Sequence, residues 1–177
     1  MAYQKLQSRE ALNVIPSDTV RIPDPSSAVV IDPSNGATVG VADFSVLNTL
    51  TDVGTKFTEA GILPGAIIYK TTGIGTAYSV VSVDSDTQLT ISGPAAGTAA
   101  DSYSIYTAAT NGCTIYVGTA GNINVRMVEQ NGNTSTAAAP ANQTLSFNNL
   151  ADATFMPIQV VQVLTTSTSA KNIIAMW

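Results

Sequence analysis

The sequence predicts an all-β protein: a β-sandwich, jelly-roll-like or barrel core domain that carries an inserted small β-barrel module and an extended N-terminal arm. Three observations predict it. Apolar and polar residues alternate with a period of two in many short segments, the spacing of a half-buried strand. Turn signals separate these segments at intervals of about 8 to 12 residues. Charged residues make up only 11% of the 177 positions, so Thr, Ser, Asn, Gln, Ala and Gly must carry the surface. Such a surface repels other copies weakly, which favours packing into an assembly, although an all-β domain with a Thr-rich exterior has the same composition.

The arm comes first. Met1 to Leu12 has the pattern of a short helix, which Asn13-Val-Ile-Pro16 would stop. Pro16, Pro23 and Pro25 then impose extended backbone, and each lacks an N–H for ladder pairing. Ala28 to Ile31 is a short apolar run ended by the turn Asp32-Pro-Ser-Asn-Gly36. Thr38 to Thr51 reads two ways. Phe44, Leu47 and Leu50 stand at helical spacing, whereas the Thr and Val content favours strands.

From Phe57 the signals are clearer. Phe57 to Ala60 predicts one helical turn ended by Gly61, and Pro64-Gly65 fits the middle of a type II turn. Strands follow at Ala66 to Tyr69, Tyr78 to Val83, Gln88 to Ile91 and Tyr103 to Tyr106. Thr72 to Gly75 turns the chain, Asp84 to Thr87 is a hairpin-type loop, and Gly93 to Ala100 is a small-residue loop.

Thr114-Ile-Tyr-Val-Gly-Thr-Ala-Gly121 and Asn122-Ile-Asn-Val-Arg-Met127 read as a hairpin, with Ile123, Val125 and Met127 on one face. Residues 131–143 are of low complexity and read as an exposed loop, with a partner-binding loop as the alternative. Thr144 to Phe147 alternates. Pro157 to Leu164 is a strand whose phase slips at Val160-Val161, where a β-bulge would restore the inward face. The last strand, Asn172 to Trp177, ends in five apolar residues. Fully burying each large side chain contributes about 1.5 to 3 kcal/mol, so this end belongs in a core or a subunit interface.

Catalytic chemistry is poorly represented. There is no histidine, which removes Ser-His-Asp and Cys-His catalysis and the commonest metal ligand. The single cysteine, Cys113, forms neither an intrachain disulfide nor a Cys-rich zinc site and reads as a small buried hydrophobe. Asp84 and Asp86 lack the remaining ligands of a calcium loop and read as a solvated turn. The expectation is a protein with no catalytic residues, no cofactor and no metal, and not an enzyme. Seven basic residues are dispersed along a chain of net charge −5, so neither nucleic acid nor a membrane surface is an expected partner. The N-terminus has no hydrophobic signal core, and a single cysteine allows no intrachain disulfide, so synthesis and folding in a reducing cytoplasm are expected.

Five segments share a likeness. Asn13-Val-Ile-Pro-Ser-Asp-Thr19 with Ile22-Pro23, then Thr114 to Gly121, Asn142 to Phe147, Phe155 to Val163 and Ile173 to Trp177 resemble the spike base proteins of tailed phages and gene transfer agents. In that family a Pro-Ser-Asp arm runs directly into a Leu-Tyr-Val-Gly-Thr-Gly-Gly strand. Here residues 30–112 interrupt that connection, and the insert is similar to a small β module common in phage structural proteins. The division implied is 1–29 (arm and first part of the base domain), 30–112 (insert) and 113–177 (main base domain).

The resemblance implies a homo-oligomeric virion protein on the capsid exterior, decorating or cementing the head or forming the base of a spike. Its partners would be itself and the major capsid protein or other virion proteins. A neck or tail adaptor, or a receptor- or carbohydrate-binding module, is the alternative. Under the first reading the prolinic arm and the apolar end make subunit contacts, through Val14, Ile15, Pro16, Ile22, Pro23, Ile173, Ile174, Met176 and Trp177.

Overall fold

A computed structural model describes residues 8–72, 75–93, 100–128 and 144–177. The strands are β1 (Ala11–Asn13), β2 (Val39–Ala42), β3 (Thr49–Thr51), β4 (Ile67–Lys70), β5 (Thr76–Ser85), β6 (Gln88–Ile91), β7 (Asp101–Tyr106), β8 (Cys113–Thr119), β9 (Gly121–Met127), β10 (Leu145–Leu150), β11 (Thr154–Val163) and β12 (Lys171–Met176). They form two six-stranded antiparallel sheets, and the described residues contain no α-helix. The chain divides into two compact units. A split unit takes the described parts of Met1–Pro25 together with Thr110–Trp177; an inserted unit is Ser26–Ala109. The predicted low-complexity loop at 131–143 lies outside the described residues, as does most of the predicted loop after Gly93.

The inserted unit is a nearly closed barrel with strand order β2-β7-β4-β5-β6-β3. Asp43 and Thr51 close its seam by exchanging both backbone hydrogen bonds, at 2.8 and 3.0 Å. Alternate residues fill the interior. Phe44, Leu50, Phe57, Ile68, Leu89, Ile91, Tyr103 and Ile105 are all fully buried in one cluster. Thr38 to Thr51 is therefore strand–turn–strand. Phe44 and Leu50 are buried while Leu47 is 67% exposed, so helical spacing does not put the three on one face. The expected turn at Phe57–Gly61 is present, with Ala60 N–H donating to the Lys56 carbonyl and Gly61 at φ 70°. Leu63 accepts from Ala66 N–H around Pro64-Gly65, as a type II turn requires.

The sheet of the split unit has the order β1-β12-β8-β11-β9-β10. Its core gathers Cys113, Ile115, Val117, Ile123, Val125, Met156, Val160, Val163, Ile173 and Ala175, with Val14 and Ile22 supplied by the arm. The expected 114–127 hairpin does not form. β8 and β9 follow one another in sequence, but β11 lies between them, pairing with β8 through Thr154 to Met156 and with β9 through Val160 to Val163. A period of two fixes which face of a strand is buried and leaves its neighbour undetermined. Gly121 occupies the corner in place of a hairpin turn: a Cβ there would lie 2.5 Å from Ala170 N. Register shifts between Val160 and Gln162, the bulge expected from the phase slip.

The arm is docked on its own chain. The predicted helix at its start is replaced, over the described part, by β1, which pairs with β12. Val14 N–H donates to Ile173, Ser17 N–H to Val163 and Ile22 N–H to Val161. Gln162 Nε2 donates back to the Ser17 carbonyl at 2.7 Å, and Thr165 Oγ1 to that of Pro16 at 2.9 Å. The prolines leave the arm extended, and the carbonyl edge of β11 supplies the hydrogen bonds that such backbone needs.

Candidate contact surface

The nine residues expected to make subunit contacts divide into two groups. Val14, Ile22 and Ile173 belong to the core of the split unit, and Pro23 is also buried. They are occupied within the chain. Ile15, Pro16, Ile174, Met176 and Trp177 are half-buried. Trp177 packs against the core, and its Nε1–H donates to Thr110 Oγ1 at 2.7 Å. Its backbone is held as well, by Arg9 N–H at 2.6 Å and by the Glu10 carbonyl at 3.1 Å. The apolar end is thus largely a core element.

What the sheet turns outward follows from alternation. Ile115, Val117, Met156, Ile173 and Ala175 point inward, so Tyr116, Phe155, Ile174 and Met176 point out. Register then aligns them. Asn13 pairs with Ile174, Ile174 with Tyr116, and Tyr116 with Phe155, one row across four strands. A second row runs Ala11, Met176, Thr114. Neither row contains a charge. Phe155 is 54% exposed at the end of the first row.

Tyr116 and Phe155 were not among the expected contact residues. Their signal was present: in Thr114 to Thr119 the aliphatic side chains hold the inner positions, which sends the intervening Tyr116 outward. The sequence does not show that β11 brings Phe155 beside it. Exposed apolar side chains also occur in the inserted unit. Val39, Val41, Val46, Leu47 and Val53 all project from β2, β3 and their flanks, Val53 being 89% exposed.

The chemical groups are placed as follows. Cys113 is buried, its Sγ 3.2 Å from the Val160 carbonyl, and burial pushes its thiol up to about 12. Asp84 closes the end of β5 by accepting from Ser82 and Thr90 hydroxyls, and Asp86 accepts from Thr58 N–H. Among the described residues, no three His, Cys, Asp or Glu side chains are grouped so as to hold a metal ion. No family model, no curated protein and no solved structure matches the chain.

Proposed function

We propose that the chain is a non-enzymatic structural subunit of a phage-type particle, seated on the head exterior, where it decorates or cements the shell or forms the base of a spike. It assembles with further copies of itself through the outer face of β1, β12, β8 and β11. The observation that carries this reading is the uncharged row Ile174, Tyr116, Phe155 with Met176 beside it, on a sheet whose other face is already filled. Ile174, Tyr116 and Met176 are already half-buried, so covering each contributes only part of the about 1.5 to 3 kcal/mol of a full burial, and no charge in the rows opposes it. The likeness of the arm and of the C-terminal segments to spike base proteins supports the same reading.

Sedimentation velocity on wild type and on a Phe155→Ser/Ile174→Ser double variant tests it. Both side chains are outward-facing, so the fold should survive and circular dichroism should be unchanged. Wild type should sediment as an oligomer and the variant as a monomer. Wild-type protein that stays monomeric at high concentration, or a variant that assembles normally, overturns the reading.

A further inference from the structure

The barrel interior of the inserted unit holds a lysine and an aspartate in contact. Lys70 on β4 and Asp101 on β7 place Nζ and Oδ2 2.8 Å apart, with both side chains less than a tenth exposed. The two strands are hydrogen-bonded neighbours. Lys70 stands opposite Tyr103, so Asp101 is its diagonal partner on the same inward face. Aromatic rings wall the pair: Nζ lies 5.6 Å from the centre of Phe44, and Phe44 meets Tyr103 edge-on at 6.1 Å. A second buried carboxylate, Asp52, accepts the Tyr103 hydroxyl at 2.9 Å. An amine and a carboxyl group are therefore held in reacting range, in a site that excludes bulk water.

We infer that Lys70 and Asp101 form an intramolecular isopeptide cross-link. Proton transfer within the pair gives a neutral amine and a neutral carboxylic acid. The Nζ lone pair attacks Cγ of Asp101 and forms the new C–N bond. The bond from Cγ to one carboxyl oxygen breaks, that oxygen takes a proton from the nitrogen, and water leaves. No oxidant, metal or co-reactant is required. Two physical effects favour the product. Burying two charges carries a desolvation penalty that the neutral amide avoids, and holding both groups in contact removes the entropic cost of bringing them together. The bond ties β4 to β7 around β5 and β6, a covalent staple in a chain whose lone cysteine offers none. This inference does not depend on the proposed function.

Mass spectrometry of the full chain decides it. Trypsin does not cleave after an acylated lysine, and the only basic residues near the pair are Lys56, Lys70 and Arg126. The cross-linked protein should give one fragment spanning residues 57–126, lighter than its sequence by one water. Cleavage after Lys70 with no mass loss overturns the inference, as does an uncleaved fragment of full sequence mass. An Asp101 succinimide would lose water too, but would leave Lys70 open to cleavage, and that pattern also overturns it. Asp101→Asn is a second check. The amide would close with loss of ammonia and give the same product, so its final fragment mass should equal that of wild type. Lys70→Met must abolish the cross-link.

Discussion

Asp18 and Thr166 stand 148 residues apart and are joined twice: the Asp18 carboxylate accepts the Thr166 backbone N–H at 3.0 Å and its hydroxyl at 2.9 Å. This latch fastens the arm to the loop between β11 and β12. The Thr166 backbone hydrogen bond, more than any other contact, holds the Asp18 carboxyl below its ordinary value of 3.8. A group depressed in the folded state stabilises at pH above its unfolded value, and that contribution is lost as pH falls through the folded value. Arm docking should therefore be at full strength near neutrality and weaken below pH 3.8. Amide exchange at Val14, Ser17 and Ile22 reads the arm directly. Those amides should lose protection as the solution is acidified, and in Asp18→Asn they should be less protected at neutral pH with no acid step. Asp18 is exposed, so the effect should be local.

Gly40 is required by its neighbours. A Cβ there would lie 2.5 Å from Tyr103 Cε1 and 2.6 Å from Asp52 Oδ2, and both groups are buried and hydrogen-bonded to each other. Gly40→Ala should destabilise the inserted unit by about 1 to 3 kcal/mol through overpacking. Denaturant unfolding followed by tyrosine fluorescence measures it. Retention of wild-type stability would mean that Tyr103 has room to move aside.

Tyr103→Phe addresses the same pair from the other side. Removing the hydroxyl leaves Asp52 Oδ2 without that donor in a buried site. The expected cost is about 1 to 3 kcal/mol, and the barrel shape should be kept. A smaller loss would show that water reaches Asp52.

Truncation before Ile173 should abolish folding of the split unit. β12 lies inside the sheet, between β1 and β8, and carries Ile173 and Ala175 into the core. Expression of the truncated chain should give insoluble protein, or soluble protein without dispersed methyl resonances. A soluble, well-folded truncation contradicts this placement.

These predictions rest on features of unequal visibility in the sequence. Strands with a plain period of two, such as Tyr78 to Val83 and Gln88 to Ile91, were legible, because alternation is itself the signature of a sheet with one buried face. Turn chemistry was legible where one residue forces one conformation, as at Gly61 and Gly65. Strand neighbours were not. The insertion of β11 between β8 and β9 depends on pairing across more than thirty residues of chain, which no local pattern encodes. Lys70, Asp101 and Asp52 are buried without any local signal for it, since such residues are rarely buried without partners and partners are known only after folding. Of the contact surface, Ile174 and Met176 were visible in the apolar ending, whereas Tyr116 and Phe155 became candidates only when register placed them in one row.

Self-assembly as a subunit of a particle is the role proposed for the chain. It is tested most directly by the light-scattering mass of the purified protein, alone and after mixing with empty phage heads. A single oligomer of fixed mass that co-sediments with the heads is the predicted result. A monomer that neither associates nor binds heads would contradict it.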